Sequence, residues 1–363
     1  MSTKMTGYHA ILLGARHAGC TRYAGPPGRG LEPFQAISAP SSGKAAPEIA
    51  RASDAASAVG MCIEAAQQGE RVMVVTFGPD LALCGRNLTL AQLAEVPLVL
   101  VHCQYLCESP ERTVVAGDVD VALARHLTVG SLPLPVLAPS DTNSAYRLTC
   151  EGFNVAERLR TPVIVLTSPA LLSVEASIDE VLCDPPPIPA AMPPGEPNLP
   201  FEKTARPGCV QFHGTVGDEH LVLNLDAATI DVRFARLRDK ILNNRQMAEH
   251  TRSSPDPDAE TLLLSYGLAD KSAVGAVRIV RDGGSRVSHL TLHSLWPLPE
   301  QALRRATTPF IRRVLLPELN AGLYADELRR FFKTVPVESI TRCDGQPIDP
   351  TIIARRITDW PCG

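Results

Sequence analysis

The sequence lacks the features by which many chains reveal a macromolecular partner. Its 363 residues contain no cluster of basic residues and carry a net charge of −4, which argues against binding to nucleic acid or to an anionic membrane surface. The longest apolar run, at residues 96–101, has only the length of a strand, and the first residues do not form the apolar centre of a signal peptide. We therefore expect a cytoplasmic protein without a membrane partner.

Several catalytic and metal-binding motifs are also missing. The sequence has no G-x-S-x-G elbow, no H-E-x-x-H pair, no Walker loop and no G-x-G-x-x-G after a strand. The ten cysteines include no C-x-x-C pair, and the closest two, Cys103 and Cys107, are separated by three residues. Because most of the cysteines lie in apolar segments, we expect buried thiols rather than cluster or zinc ligands, and we predict no metal site.

Proline, in contrast, is concentrated in one segment. Residues 184–200 contain eight prolines in seventeen positions, which is incompatible with a helix or a central strand. This segment predicts a linker at 184–206 between a first domain at 1–183 and the rest of the chain. A connecting region at 207–259 and a smaller second domain at 260–363 follow.

Apolar strands alternate with helices on both sides of this linker. In the first domain, the pattern predicts helices at 54–68 and 142–159 and strands at 71–77, 96–103 and 161–168. Predictions for the remainder are a helix at 227–249 and strands at 261–267, 287–298 and 312–319 with helices between them. Continuous apolar strands separated by helices are typical of an α/β fold with a parallel sheet, in which ligands bind at the carboxyl ends of the strands.

The order of the segments resembles one enzyme family over nearly the whole chain. The first domain carries GCTRYAGPPG, RASDAASAVGMCIEAAQQGERVMVVTFGP, AEVPLVLVHCQ, AGDV, PVLAPSD and GFNVAERLRTPVIVLTS. They are followed, in the same order, by GDEH and by the second-domain segments LLSYGLADKSAVGAVR, LTLHSLWPLPEQALR, VLLPELNAGLYADELRR and DGQPIDPTII. Together they resemble the α subunit of the thiamine-diphosphate-dependent 2-oxoacid:ferredoxin oxidoreductases.

The resemblance implies both a fold and a reaction. The first domain would be like the pyrimidine-binding domain of thiamine enzymes, and the second like a transketolase C-terminal domain. A separate β subunit would hold magnesium, the diphosphate of the cofactor and a [4Fe-4S] cluster. The αβ pairs, which would dimerise, would oxidatively decarboxylate a 2-oxoacid such as pyruvate, 2-oxoglutarate or 2-oxoisovalerate to its acyl-CoA and reduce ferredoxin or a similar acceptor.

The resemblance also assigns cofactor contacts. In this family a glutamate of the α subunit drives the aminopyrimidine ring to its imino form, and its place is taken here by Ser53. The neighbouring Asp54 is a candidate substitute and thus the candidate catalytic residue, although the pair also fits a helix N-cap. Thr76 and Gly78, at the end of the next strand, complete the implied cofactor contacts.

Substrate contacts are implied at two further loops. A family threonine that touches the substrate is replaced by Arg29 in the loop that also contains Gly25, Pro27 and Gly30, and the family arginine after V-x-V-Q is Tyr105 here. Arg29 would then be a relocated anchor for the substrate carboxylate, since its planar guanidinium can bind a carboxylate bidentately. The alternative is an arginine that points into solvent from a turn.

Two other interpretations stay open at this point. Loss of the family glutamate, threonine and arginine also fits a degenerate, non-catalytic α-like subunit with a structural or regulatory role. An unrelated small-molecule-binding α/β protein with a similar order of segments is the third interpretation.

Overall fold

The computed structural model describes residues 3–27, 31–37, 47–108, 114–178 and 227–359. Within these ranges the strands are β1 (Thr3–Thr6), β2 (Arg22–Gly25), β3 (Glu48–Arg51), β4 (Val72–Phe77), β5 (Leu98–Cys103), β6 (Tyr105–Glu108), β7 (Val114–Ala116), β8 (Val136–Leu137), β9 (Pro162–Thr167), β10 (Glu175–Ile178), β11 (Thr251–Ser254), β12 (Thr261–Ser265), β13 (Ser288–Leu292), β14 (Ser294–Trp296), β15 (Arg313–Glu318) and β16 (Val337–Thr341).

The helices, in chain order over the same ranges, are α1 (Gly7–His17), α2 (Glu32–Ile37), α3 (Ala55–Gln67), α4 (Asp80–Leu83), α5 (Gly85–Leu93), α6 (Val121–Arg125), α7 (Thr142–Leu159), α8 (Pro169–Leu172), α9 (Ala227–Asn243), α10 (Ala269–Asp282), α11 (Glu300–Ala306), α12 (Ala325–Phe331) and α13 (Pro350–Thr358).

The larger sheet has the strand order β14-β8-β9-β5-β4-β2-β3. Its strands are parallel except β14. Both faces of the sheet are covered, because Val72 and Val74 of β4 belong to the core on the α3 and α5 side, whereas Met73 and Val75 belong to the core on the α1 and α7 side. This two-sided burial explains why the strands are continuously apolar and confirms the α/β fold with a parallel sheet.

The helix α7 occupies the range that the pattern predicts. It begins with a capping box, in which the Asp141 carboxylate accepts a hydrogen bond from the Ser144 backbone N–H at 2.6 Å and the Ser144 hydroxyl oxygen accepts one from the Asp141 N–H at 2.9 Å. It ends at Arg160, which lies in the left-handed region at φ 46°. Strong capping at both ends is the reason the boundaries can be read from the sequence.

The smaller sheet has the order β11-β13-β12-β15-β16, with β11 antiparallel to β13 and the other pairs parallel. Helices α10 and α13 cover one face of it, where Ala273, Val277 and Ile353 are buried. The other face shares a continuous apolar core with the larger sheet. The two α/β halves are therefore packed against each other across a common core.

The segment predicted as one strand at 287–298 differs from this expectation. It forms β13 in the smaller sheet and then β14, which pairs antiparallel with β8 at the edge of the larger sheet. The backbone leaves one sheet and joins the other at His293, whose N–H donates to the His250 carbonyl and whose carbonyl accepts from the Ala138 N–H. An apolar run has the same appearance whether it serves one sheet or two.

The helix predicted at 227–249 is shorter, because α9 ends at Asn243. It is attached to the first half of the chain through Glu95, which is fully buried and accepts from Arg236 at 2.5 Å and from Lys240 at 2.6 Å. Burial by itself would raise the pKa of the Glu95 carboxyl, but these two cations hold it below its usual value. The predicted linker at 184–206 lies outside the described residues, so the domain boundaries stay a prediction.

Candidate functional site

The carboxyl ends of four neighbouring parallel strands form the candidate site. In the order β5, β4, β2, β3 the strands end side by side, and each is followed by residues that the sequence singled out. Tyr105 follows β5, Gly78 follows β4, Gly25 ends β2, and Ser53 and Asp54 follow β3. We refer to this region as the site edge. The fold thus brings these predicted residues to one side of one sheet.

Asp54 caps helix α3. Its carboxylate accepts a 2.7 Å hydrogen bond from the Ser57 backbone N–H, while the Ser53 hydroxyl lies 3.0 Å from the Ser57 hydroxyl oxygen and 3.4 Å from Asp54 Oδ2. Asp54 is exposed, and the hydrogen bonds from Ser57 lower the pKa of its carboxyl. The N-cap interpretation of this pair is therefore confirmed, whereas the catalytic role of Asp54 stays a prediction.

Gly78 and Tyr105 are packed directly on each other. Gly78 has φ +58°, and a Cβ atom built on it would lie 2.1 Å from Cε1 of the Tyr105 ring. The same ring lies 5.0 Å from the ring of Phe77, centroid to centroid. Only glycine allows this contact, and an aromatic surface consequently occupies the position at which the family arginine is implied.

The loop after β2 is described only in part. A Cβ atom on Gly25 would lie 2.7 Å from the Val75 carbonyl oxygen, so a side chain there would collide with β4. Pro27 is exposed. Arg29 and Gly30 lie outside the described residues, and the anchor role of Arg29 stays a prediction.

Thr76 belongs to a buried chain of hydrogen bonds that the sequence did not reveal. Its hydroxyl lies 2.9 Å from His102 Nδ1, and His102 Nε2 lies 2.9 Å from Asp120 Oδ2. In the neutral imidazole this places the ring proton on Nε2, where it is donated to the carboxylate, and leaves Nδ1 to accept from Thr76. Thr76 and His102 are fully buried, and the cofactor contact implied for Thr76 stays a prediction.

The sequence contains one signal for these hydrogen bonds. Thr76 and His102 are register partners on β4 and β5, and both precede the strand ends by one residue. Polar side chains that lie opposite each other in two buried strands can satisfy each other's hydrogen bonds.

Asp80 is a second carboxylate at the site edge and was also missed. It follows β4 by three residues, in the first turn of α4. Asp80 is partly buried, and this burial raises the pKa of its carboxyl, with a smaller contribution from the charge of Asp54. The site edge therefore offers two carboxylates with opposite shifts in pKa.

A buried carboxylate connects the site edge to the second half of the chain. Asp118 accepts a 3.2 Å hydrogen bond from the Gln104 amide, and a Cβ atom on Gly267 would lie 2.6 Å from its Oδ1. The backbone N–H groups of Leu268 and Ala269, at the start of α10, also donate to this carboxylate, but burial dominates and raises the pKa of Asp118 to about 7. Asp118 thus caps a helix of the other half.

The described residues contain no group of three or more His, Cys, Asp or Glu side chains that could hold a metal ion. Five of their cysteines, Cys20, Cys62, Cys84, Cys103 and Cys150, are buried. Burial raises the pKa of the Cys20 thiol to about 12, so the thiolate needed for metal binding is disfavoured there. Within the same residues, no helix is both long enough and apolar enough to cross a membrane.

Two segments of the chain match known protein families. Residues 34–216 match the family described as pyruvate flavodoxin/ferredoxin oxidoreductase, thiamine diphosphate-binding. Residues 259–353 match core domain II of pyruvate:ferredoxin oxidoreductase.

Individual relatives agree with these matches. The 2-oxoglutarate synthase subunit KorA of Methanothermobacter marburgensis is 28% identical over 97% of both chains, and the ketoisovalerate oxidoreductase subunit VorB of Methanothermobacter thermautotrophicus is 25% identical over 99% of this chain and 98% of its own.

A solved structure has the same fold. The 2-oxoglutarate:ferredoxin oxidoreductase of Magnetococcus marinus, with 2-oxoglutarate, coenzyme A and succinyl-CoA bound, aligns with a TM-score of 0.86 at 22% identity. The alignment covers 99% of this chain and 65% of the other. One family model matches half of the chain, a second matches residues 259–353, and relatives match nearly its full length. The chain therefore belongs to the pyruvate flavodoxin/ferredoxin oxidoreductase family, as an α-type subunit of a 2-oxoacid oxidoreductase.

Proposed function

We propose that this chain, together with a β subunit, oxidatively decarboxylates a 2-oxoacid to its acyl-CoA. The observation that carries the proposal is the site edge, where an aromatic ring, a glycine and two carboxylates meet at the carboxyl ends of β5, β4 and β3 within a thiamine-diphosphate-binding family domain. Thiamine diphosphate, when bound, supplies the nucleophilic carbon and the electron sink for decarboxylation.

The site edge fits one half of this cofactor. Tyr105, held against Gly78, offers a flat face for an aromatic ring, and Asp54 and Asp80 offer carboxylates that can bind a ring nitrogen. By the family resemblance, a β subunit would hold the magnesium and the diphosphate, together with the [4Fe-4S] cluster that passes electrons to ferredoxin or a similar acceptor.

Asp54 and Asp80 are competing candidates for the carboxylate that shifts the aminopyrimidine to its imino form. Asp54 is the position next to the family glutamate, but its carboxylate already caps α3. Asp80 is not the N-cap residue of α4, and its raised pKa favours sharing a proton with a ring nitrogen. A carboxylate that is partly removed from water binds such a proton more tightly than an exposed one.

The remaining chemistry concerns the substrate. The substrate carboxylate needs a cation, and Arg29 is our candidate, in a loop that begins with Gly25 and Pro27 at the site edge. Gly30, the other residue implied in this loop, follows it in the sequence. Coenzyme A would receive the acyl group. The enzyme would be a cytoplasmic assembly of αβ pairs that dimerise.

The test is an activity assay on the complex of this chain with its co-expressed β subunit. Pyruvate, 2-oxoglutarate and 2-oxoisovalerate are supplied in turn with coenzyme A, thiamine diphosphate, magnesium and a viologen dye as electron acceptor. The proposal predicts dye reduction that requires both a 2-oxoacid and coenzyme A. A correctly assembled complex that loads thiamine diphosphate but reduces the dye with none of the three acids would instead favour the non-catalytic alternative.

A further inference from the structure

A cleft of about 480 Å³ separates the two halves of the chain on the side away from β2 and β3. One wall comes from the loop that follows β8 and from α8 and β10, and the other from the loops that follow β12, β15 and β16. Of the residues predicted for cofactor or substrate, none of those that the structure describes lines it. The cleft is thus distinct from the site edge, and its size lies within the range of small-molecule sites.

The topology of the smaller sheet favours a ligand at this position. Strand β12 lies between β13 and β15 in this sheet. The next strand in the chain, β13, pairs with one edge of β12, and the later strand β15 pairs with its other edge. The chain direction across the sheet reverses between β12 and β15, and open α/β sheets bind ligands at the carboxyl ends of the strands at such a switch point. Leu268 and Leu319, which follow these two strands, both line the cleft.

One of the two cations that line the cleft has no direct partner among the described residues. Arg252 donates to Asp141 at 3.3 Å and to Asp270 at 2.6 Å, and Asp270 also accepts from the hydroxyls of Ser265 and Thr291. Lys271, in contrast, is exposed and has no hydrogen bond or ion pair to another described residue. An anionic group is the complement of such a cation.

Two further properties of the lining point to an amphipathic ligand. Ser140 is 9% exposed, and its Oγ is buried without a hydrogen-bond partner among the described residues, which is costly unless a ligand satisfies it. Val174 and Val274, on opposite walls, are 46% and 40% exposed although both are apolar. A ligand with an apolar body would remove their surface from water.

We propose that this cleft binds a small monocarboxylate with an apolar body. The carboxylate would accept hydrogen bonds from the Lys271 ammonium and the Ser140 hydroxyl, and the apolar body would cover Val174 and Val274. Because the walls come from both halves of the chain, occupancy would stabilise their contact. The site does not depend on the reaction proposed above.

The test uses octanoate as the probe and titration calorimetry on the full-length chain. Octanoate should bind at one saturable site, while octanol and octylammonium, which have the same apolar chain without the negative charge, should bind at least tenfold more weakly, by about the strength of one charge-assisted hydrogen bond. Failure of octanoate to saturate, or equal affinity for octanol or octylammonium, would overturn the proposal.

Variants locate the site. Lys271→Met should weaken octanoate binding about tenfold, and Ser140→Ala about threefold, since a neutral hydrogen bond is worth less than a charge-assisted one. Lys333→Met is the matched control, because Lys333 is an exposed lysine outside the cleft. Ser140→Ala should not lower the thermal unfolding midpoint, as its hydroxyl has no partner to lose within the described part of the chain. Equal affinities in Lys271→Met and Lys333→Met, or wild-type affinity in Ser140→Ala, would exclude the cleft.

Discussion

Asp54 and Asp118 occupy the same kind of position in two regions that differ in burial. Each carboxylate accepts hydrogen bonds from backbone N–H groups at the start of a helix, α3 for Asp54 and α10 for Asp118. Asp54 is exposed and its pKa is lowered, whereas Asp118 is 2% exposed and its pKa is raised to about 7. Burial therefore outweighs the favourable hydrogen bonds at Asp118, but not at the exposed Asp54.

The comparison separates the roles of the two regions. At the site edge, carboxylates remain accessible to a ligand, as chemistry requires. At the interface, Asp118 and Asn320 are buried and connect the halves, since the Asn320 amide donates to the Asp118 carbonyl and to the Tyr266 hydroxyl oxygen, each at 2.8 Å. We expect substitutions at the first region to change turnover and substitutions at the second to change stability.

The largest effect is expected from the carboxylate that activates the cofactor. In the assembled complex, one of the two variants Asp54→Asn and Asp80→Asn should lower turnover by about 100-fold or more, and the other should keep a much higher turnover. Loss of a cap alone, in contrast, costs about 1 kcal/mol of stability. Single-turnover rates measure the loss of turnover, and thermal unfolding measures the loss of stability. Two variants with wild-type turnover would remove both carboxylates from the mechanism.

The next effect concerns the substrate anchor. Arg29→Ala should raise the Michaelis constant for the 2-oxoacid about 30-fold, because truncating a desolvated charge pair costs roughly 2 kcal/mol or more. Arg29→Lys should restore part of the affinity, since an ammonium cannot form the bidentate contact.

A double variant sharpens the anchor test. Adding Tyr105→Arg to Arg29→Ala should recover some affinity if the two positions face one pocket. A double variant no better than Arg29→Ala would contradict that relocation, and unchanged kinetics in Arg29→Ala would show that Arg29 faces water.

At the interface, Asp118→Ala should destabilise the chain by about 2 to 3 kcal/mol, because it leaves the buried donors of Gln104 and α10 without an acceptor. Denaturant unfolding of the full chain measures this loss. Asp258→Ala is a suitable control, since Asp258 is an exposed residue whose ion pair with Arg286 should contribute less than about 1 kcal/mol. Equal effects of the two substitutions would contradict the assigned role of Asp118.

A further effect is expected from pH. The folded-state pKa of Asp118 is raised to about 7 from a model-compound value of 3.8, so the folded state binds more protons than the unfolded state between these values. Its contribution to stability is complete below about pH 4 and is lost as the pH rises through about 7. The unfolding midpoint of wild type should therefore fall relative to that of Asp118→Asn between pH 5 and about 8. A constant difference would place the pKa of Asp118 outside this window.

The sequence was informative where local signals decide the structure. The helix α7 was predicted with both of its boundaries, because its caps are encoded within a few residues, and β4, β5 and β9 were recognised from their continuous apolar runs. The transfer of β14 to the larger sheet was not predictable in this way, since its partner β8 is more than 150 residues away in the sequence.

The same distinction applies to the site. Gly78 and Tyr105 could be named from sequence because their neighbours carry the family resemblance, but their direct packing depends on the pairing of β4 with β5. Asp80 carries no local signal, because its raised pKa arises from burial that only the folded chain creates. Asp118 was missed for the same reason.

The central claim is that this chain forms one half of a thiamine diphosphate site that its partner completes. The most direct measurement is a calorimetric titration of thiamine diphosphate with magnesium into the chain alone and into its complex with the β subunit. We predict no binding at micromolar concentrations to the chain alone and micromolar or tighter binding to the complex, because the family resemblance assigns the magnesium and the diphosphate to the β subunit. Micromolar binding to the isolated chain would contradict the claim.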